Sequence, residues 1–266
     1  MSLNFEDMNV YHYTTLEALK GILQPKNLCF WASRYDTMND PTDYIYAKEK
    51  VIPVIKQLIE ENKDKFTEKE REDIAIHPYI LSTCELEDDI NMWRFYRAEV
   101  MLELDWDLLK ACHGNEYTMK KCEYVNDSNI YQKFADLFNE HEQSDNFPNI
   151  AYEVAVVIKH EAYKNENEYR IFKYDAETFC ISGSPDKIHD GEIPFDVKVK
   201  CVRNGDYVLY KEFQFRKKVL KGITVKCIDE RKANSIIQHI KLILLQNKYD
   251  LTKIDVKESS SYPVLY

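Results

Sequence analysis

Five short stretches of the sequence combine polar and aromatic residues that could do chemistry. They are Tyr11-His12-Tyr13-Thr14, Asn39-Asp40-Pro41, Ser82-Thr83-Cys84-Glu85, Met92-Trp93-Arg94-Phe95-Tyr96 and Glu166-Asn167-Glu168-Tyr169-Arg170. Histidine and glutamate can exchange protons, arginine can bind phosphate in a bidentate manner, and aromatic rings offer flat surfaces for stacking. We expect all five at strand ends or turns, where binding and catalytic sites are usually built.

Each stretch also has a plain structural explanation. A histidine between two tyrosines is most often a hydrogen-bonded core or edge residue, and Asn39-Asp40-Pro41 is most simply a turn. The tryptophan and tyrosine of the fourth stretch, three residues apart, fit one buried face of a short helix. Glu166, Glu168 and Arg170 alternate along an expected strand, so they share one face and fit an ordinary surface ion pair. Taken singly, no stretch establishes a site.

The sequence lacks the common catalytic motifs. It contains no G-x-G-x-x-G, no phosphate-binding P-loop, no G-x-S-x-G and no H-E-x-x-H. Its seven cysteines are scattered, without a C-x-x-C pair, so we expect reduced thiols in a reducing compartment. The histidines and acidic residues form no recognisable ligand spacing. We therefore predict no metal site, and metal-dependent hydrolysis is the weakest of the functional hypotheses.

Composition narrows the class of protein. A chain of 266 residues with 44% hydrophobic residues can build a sizeable core. The net charge of −10 repels phosphate backbones and anionic lipids, which argues against non-specific nucleic-acid binding but leaves room for a local basic pocket. The sequence has no apolar run of about 20 residues and no secretory signal at its start, so we expect a cytoplasmic protein without a membrane partner.

Hydrophobic periodicity predicts the elements that must position these stretches. Strands are predicted at 10–13, 28–31, 79–84, 100–104, 168–174, 197–202, 207–215 and 220–227, and helices at 16–23, 90–96, 127–141, 150–163 and 233–245. Asn204-Gly205 is a strong hairpin signal. A helical hairpin insertion is predicted at about 43–75.

These elements define the expected fold class. Several strands neighbour each other in sequence, which favours an α+β protein with a mixed, mostly antiparallel sheet and flanking helices over a doubly wound parallel fold. The chain has only six glycines and eight prolines, and it shows no flexible linker and no internal repeat. Residues 1–266 are therefore expected to form a single domain.

Together and in this order, the five stretches resemble the motifs of a large, mostly bacterial family catalogued as domain of unknown function 2971. The corresponding segments are 11–15, 39–41, 81–85, 92–96 and 166–170, and the resemblance covers essentially the full chain. The closing Ser261-Tyr262-Pro263 is similar to the Ser-x-x-Pro-Tyr ending of that family. Arg97 and Glu99 depart from the family pattern, which commonly has Ala and Gly there. The resemblance itself implies no activity.

A second, local resemblance implies a function. Residues 11–15 and the following helix look like the opening of NAD-dependent ADP-ribosyltransferase-like proteins, including toxins that modify DNA bases. This resemblance implies an ADP-ribosyltransferase-like fold with NAD as substrate. It gives Glu168 the role of the catalytic carboxylate that stabilises the oxocarbenium-like sugar, and it gives His12 the role of holding ribose hydroxyls.

The same resemblance suggests roles for other residues. Thr14 would bind the nicotinamide amide or the diphosphate, and Arg170, like Arg94 and Arg97, would suit the diphosphate. Tyr13, Trp93 and Tyr96 would supply stacking faces. The expected set of binding residues is Tyr13, Thr14, Asn39, Asp40, Ser82, Trp93, Tyr96 and Arg170.

Two functional hypotheses follow. The first is an enzyme that cleaves NAD at the nicotinamide–ribose bond, with an unknown acceptor macromolecule. The second is a non-catalytic module that binds a small-molecule nucleotide or a peptide. The first requires His12 and Glu168 to converge on one cleft. We also expect Asn39-Asp40 to frame that cleft, and Trp93 and Tyr96 to be largely buried in its wall.

Overall fold

The computed structural model describes residues 8–38, 42–65, 78–140, 147–174, 196–201, 207–226 and 230–261. The strands in these ranges are β1 (Asn9–Thr14), β2 (Leu28–Arg34), β3 (Tyr79–Cys84), β4 (Val100–Asp105), β5 (Thr118–Lys121), β6 (Glu123–Val125), β7 (Ile158–His160), β8 (Glu168–Lys173), β9 (Lys198–Cys201), β10 (Tyr207–Phe215), β11 (Leu220–Val225) and β12 (Asp255–Glu258). The α-helices are α1 (Leu16–Ile22), α2 (Thr42–Tyr46), α3 (Ile52–Glu61), α4 (Ile90–Phe95), α5 (Trp106–His113), α6 (Ile130–Glu140), α7 (Phe147–Val157) and α8 (Glu230–Gln246).

The described residues also include shorter helical segments. A π-helical turn, Ala47–Val51, joins α2 to α3, and 3-10 turns cover Tyr35–Thr37, Lys63–Lys65, Glu161–Glu166 and Lys217–Val219. Helix starts carry the expected caps, since Thr15, Asp89 and Asp105 accept backbone N–H groups at the starts of α1, α4 and α5.

The main sheet has ten strands in the order β12-β11-β4-β1-β3-β2-β10-β9, with β8 paired to β3 and β5 paired to β8. Its described pairs are antiparallel except for β11 with β12, and a separate two-stranded sheet pairs β6 with β7 in parallel. The expected α+β class with a mixed, mostly antiparallel sheet is confirmed.

The sheet divides at β3. Strand β8 pairs with β3 along its whole length, so β1 and β2 must share the other edge of β3. Strand β1 meets β3 at Cys84, and β2 meets it at Tyr79 and Ile80. Between these two pairings, the carbonyl of Ser82 hydrogen-bonds to Nδ1 of His12 at 3.0 Å. The histidine side chain therefore occupies the notch where β1 and β2 separate.

The two faces of the sheet are covered differently. One face, called the apolar face below, packs α1, α5 and α8 against a continuous cluster of buried apolar side chains, among them Val10, Phe30, Leu81, Leu102, Ile171 and Phe213. The opposite face, called the charged face, carries two smaller apolar clusters. One surrounds α3, α6 and α7, and the other surrounds α4.

Most predicted elements are present, with one clear error. The helix predicted at 150–163 ends at Val157, because Ile158–His160 is strand β7 and Glu161–Glu166 is a 3-10 turn. The insertion predicted at about 43–75 is helical through Glu61, and its residues 66–75 lie outside the described residues, as does Asn204-Gly205. The strands that flank Asn204-Gly205, β9 and β10, do pair antiparallel. The single-domain assignment stays a prediction.

None of the described helices is long and apolar enough to cross a membrane.

Candidate functional site: a buried charged cluster beside an open cleft

Five charged side chains are buried together on the charged face, and we call them the charged cluster. They are Asp43, Lys159, Glu166, Glu168 and Arg170. Glu168 and Arg170 alternate along β8 and so point to the same face, Lys159 is the middle residue of β7, Asp43 lies in the first turn of α2, and Glu166 ends the 3-10 turn. Four separate elements therefore build the cluster.

Lys159 lies at the centre of the cluster. Its Nζ is 2.7 Å from Oε2 of Glu166, 2.8 Å from Oε2 of Glu168 and 3.3 Å from Oδ2 of Asp43. Burial alone would lower the pKa of this ammonium, but the charges of Glu168 and Asp43 outweigh burial and raise it. Lys159 is therefore a permanent cation that joins three carboxylates.

Arg170 is completely buried and fully engaged. Its Nε donates to Oε1 of Glu168 at 3.0 Å, its NH2 donates to Asp43, and its NH1 donates to the carbonyl of Val156. The guanidinium also lies over the ring of Tyr35, 5.6 Å from its centroid. No donor of this arginine is directed at the cleft described below, so the predicted contact to a diphosphate has no support from its geometry.

Glu168 is an ionised structural anion. Burial would raise its pKa, but Arg170 and Lys159 hold the pKa at about 2. Oε1 accepts from Arg170, Oε2 accepts from both Lys159 and Arg170, and the side chain is only 3% exposed. Its backbone N–H donates to the hydroxyl of Tyr124 at 2.9 Å. The carboxylate is therefore immobile and occupied.

Glu166 differs from Glu168 in its surroundings. Burial raises its pKa in spite of the attraction of Lys159, because Glu168 and Asp43 add negative charge nearby. Only Oε2 accepts a hydrogen bond, from Lys159, whereas Oε1 bonds to none of the residues that the structure describes. Among the described residues, Glu166 therefore keeps one carboxylate oxygen without a hydrogen bond, as does Asp43, of which only Oδ2 is bound.

An open cleft of about 760 Å³ has Glu166 in its lining. It lies between α4 and the 3-10 turn, and its lining includes Asp89, Arg94, Phe95, Tyr163, Asn165 and Glu166. Phe95 is 54% exposed, and Lys159 lies 5.0 Å from the ring centroid of Tyr163. The cleft therefore combines aromatic walls, two carboxylates and one guanidinium.

The aromatic residues predicted for the wall behave differently from one another. Trp93 is fully buried, as expected, and packs edge-on against Tyr13. Tyr96 is 40% exposed, so the prediction that it is largely buried is wrong. It follows α4, where its ring stacks on Tyr13, and burial together with the charges of Glu168 and Glu166 raises its pKa.

Tyr13 and Ser82 lie on the charged face. The hydroxyl of Tyr13 donates to the carbonyl of Leu86 and accepts from the N–H of Asp89, so Tyr13 supports the loop before α4. Ser82 lies opposite Arg170 in the β3–β8 register, and its buried Oγ has no hydrogen-bond partner within the described ranges. Neither residue is among those that line the cleft.

His12 and Glu168 do not converge, and this prediction is wrong. Tyr11 lies opposite Cys84, and Cys84 lies opposite Glu168, so these three side chains share the charged face. His12 follows Tyr11 in the same strand and therefore points to the other side, where its ring contacts Phe30 of the apolar face edge-on.

The environment of His12 indicates a structural role. A carbonyl oxygen only accepts, so Nδ1 carries the proton that bonds Ser82, and burial lowers the pKa of the ring. Thr14, two residues further along β1, shares this side, and its carbonyl accepts the N–H of Glu99. Neither residue is among those that line the cleft. Asn39 and Asp40 lie outside the described residues.

The site residues predicted from the sequence do not include Lys159, Asp43 or Glu166. A signal for Lys159 existed, because it directly follows the apolar run from Val154 to Ile158, and a lysine next to such a run must find a partner when buried. The hydrophobic periodicity of this run predicted a helix instead of a strand. Among the described residues, no group of three His, Cys, Asp or Glu side chains is arranged to hold a metal ion.

Comparison of the chain with protein-family models, with curated proteins and with solved structures gave no match. The two resemblances described from the sequence therefore stay predictions.

Proposed function

We propose that the chain is a binding module that takes a nucleotide-sized ligand in the cleft between α4 and the 3-10 turn. The observation that carries this proposal is the carboxylate of Glu166 at the cleft, which is fixed from behind by Lys159 and has its Oε1 open to the ligand. A fixed, partly unsatisfied carboxylate in a concave site is a recognition group for hydroxyl or amino hydrogens.

The other lining residues suit the parts of a nucleotide. A volume of about 760 Å³ accommodates a small molecule of this size. Phe95 and Tyr163 offer ring faces for a base, and Glu166 and Asp89 can accept from ribose hydroxyls or from amino groups. Arg94 can pair with a phosphate.

Cleavage of NAD is the second candidate function. It is favoured by the ionised, immobile carboxylate of Glu168, which shares Lys159 with Glu166 directly behind the cleft. A cation-stabilising carboxylate must be positioned in advance, and this one is. Against catalysis, both of its oxygens are already bound by Lys159 and Arg170, and His12 points away. Binding therefore ranks first.

The test measures binding and turnover together. Isothermal titration of the full chain with NAD, ADP-ribose and ATP should show binding of at least one of them. Glu166→Gln should weaken that binding by roughly 10- to 100-fold, because one charge-assisted hydrogen bond is lost. The matched control is Glu161→Gln, which alters an exposed carboxylate of the same 3-10 turn that does not line the cleft.

The outcomes separate the two candidates. Release of free nicotinamide from NAD by the wild-type chain, abolished in Glu168→Gln, would establish the catalytic candidate. Binding without nicotinamide release establishes the module. Absence of binding to all three nucleotides, or equal affinity in wild type and Glu166→Gln, overturns the proposal.

A further inference from the structure

Three consecutive serines after β12 converge on one carboxylate, that of Asp88. The hydroxyl of Ser259 donates to Oδ1 at 2.5 Å, the N–H of Ser260 donates to Oδ2 at 2.7 Å, and the N–H of Ser261 donates to Oδ2 at 3.1 Å. Ser260 and Ser261 add their hydroxyls to the same carboxylate at 3.1 and 3.0 Å, and the hydroxyl of Ser261 also donates to the carbonyl of Asp88. We call residues 259–261 the serine strap.

Asp88 connects the serine strap to the helix that lines the cleft. Its Oδ1 also accepts from Nε1 of Trp93 at 2.8 Å, and Trp93 is the fully buried anchor of α4. Burial would raise the pKa of Asp88, but the hydrogen bonds from Ser259 and Trp93 outweigh it and lower the pKa. The carboxylate is therefore ionised at neutral pH and binds both segments at once.

The backbone of Asp88 is itself constrained. Its φ of 46° lies in the left-handed region, which an aspartate adopts only at some cost and only when its surroundings hold it there. The next residue, Asp89, caps α4 by accepting from the N–H groups of Asn91 and Met92. The strap therefore fixes the residue directly before the helix cap.

Helix α4 depends on such external supports. It has six residues, too few for stability in isolation, since helices shorter than about 12 residues are marginal in water. Arg94 and Phe95, which line the cleft, lie in its last turn. A change at Asp88 is thus passed to the cleft through one short helix.

We propose that the serine strap holds α4 in the position that shapes the cleft, with Asp88 as the positioning residue that couples them. Docking of the strap and occupation of the cleft then favour each other, because coupling between two binding events is reciprocal. The second statement rests on the proposed nucleotide-binding function, whereas the first does not.

The test uses Asp88→Asn in the full chain, because asparagine tolerates the left-handed backbone and keeps one acceptor oxygen. Ser261→Ala is the second variant, which leaves Asp88 in place. The control is Asp136→Asn, on the exposed side of α6. Hydrogen exchange of the backbone amides is measured without ligand in the segments 88–96 and 256–261. Both variants should speed exchange in both segments together, on the order of tenfold, and the control should not.

The two parts of the proposal fail separately. Faster exchange confined to 256–261, with 88–96 unchanged in both variants, overturns the strap as the support of α4. With NAD, ADP-ribose or ATP added, exchange at 256–261 should slow in wild type, and Asp88→Asn should bind more weakly on the order of tenfold. Equal affinity in Asp88→Asn overturns the coupling while the nucleotide site stands. If the wild-type chain binds none of the three nucleotides, the proposed nucleotide site is overturned. The exchange measurements without ligand still decide whether the serine strap supports α4.

Discussion

The two faces of one sheet are built on different principles. The apolar face is a continuous packing of aliphatic and aromatic side chains, in which Leu102 and Phe30 are almost fully buried. The charged face has two smaller apolar clusters. Between them lies the charged cluster, in which two cations form ion pairs with three carboxylates.

The two faces therefore differ in what their buried side chains contribute. Those of the apolar face contribute stability, and the charged cluster contributes to the candidate site. Burying apolar area stabilises the fold by about 25 cal/mol per Å², whereas a buried ion pair scarcely repays the desolvation of its charges. A cluster of five buried charges is therefore poorly explained as a source of stability. Its placement beside the cleft explains it better, since a carboxylate such as Glu166 must be held by fixed countercharges to serve as a recognition group.

The largest effect is expected from Lys159→Met. The variant leaves three carboxylates around an apolar side chain, and removal of one partner of a buried pair costs about 3–5 kcal/mol. The free energy of unfolding, measured by urea titration at pH 7, should fall by this amount. The control Lys164→Met changes an exposed lysine nearby and should have little effect.

The apolar face supplies the counterpart to this variant. Leu102→Ala should cost about 2–5 kcal/mol through lost burial and a cavity, and this cost should not change with pH. The cost of Lys159→Met should shrink as the carboxylates are protonated. Parallel pH dependence in the two variants would contradict the distinction between the faces.

The next effect concerns pH. The pKa of Glu168 is lowered from its ordinary 4.5 to about 2, so its ionised form contributes stability above pH 4.5 that is lost as pH falls toward 2. The shift corresponds to about 3 kcal/mol. Urea titrations between pH 2 and 7 should show the wild type losing more stability than Glu168→Gln over this interval. Glu166 works in the opposite direction, because its pKa is raised. Curves of equal slope would show that Glu168 is not held ionised.

A smaller effect is expected at the notch in the sheet. His12→Ala removes the hydrogen bond to the carbonyl of Ser82 and leaves this carbonyl unpaired, which costs about 1–3 kcal/mol. His12→Asn, which can still donate, should recover part of the loss. Nucleotide binding should be unchanged in both variants, because His12 points away from the cleft. A selective loss of binding at unchanged stability would show that His12 belongs to the functional site.

The smallest effect should be a gain. Glu166→Gln removes the excess negative charge of the cluster while its amide oxygen can still accept from Lys159. The free energy of unfolding at pH 7 should therefore stay unchanged or rise by about 0.5–1 kcal/mol, although ligand binding falls. A loss comparable to that of Lys159→Met would identify Glu166 as a structural residue.

The sequence predicted elements well and relationships between them poorly. Strands such as β1, β3 and β8 have apolar patterns that identify them locally. Whether His12 or Tyr11 shares a face with Glu168 depends on the register across β3, and a shift of one residue would reverse the answer. Register is set by the whole sheet, so it could not be derived from the separate stretches.

The charged cluster shows the same limit. Glu168 and Arg170 were recognised as neighbours on one strand face, which the structure confirms. Their remaining partners, Lys159 and Asp43, come from a strand mistaken for a helix and from the first turn of α2. Nothing in their local sequence indicates where they meet. Strands β5, β6 and β12 were missed as well, since they are short and carry little apolar periodicity.

The pairing of β2 with β10 has a consequence for the order of folding. Leu28 lies opposite Phe215, so β2 pairs with a strand that is synthesised much later. Contacts this distant in sequence slow folding, because the connecting chain must be closed before the pairing stabilises it. Until then, β2 exposes one edge and the apolar side chains of Phe30 and Ala32 on the ribosome-bound chain. The nascent protein is therefore expected to be more prone to aggregation before β10 emerges than after it.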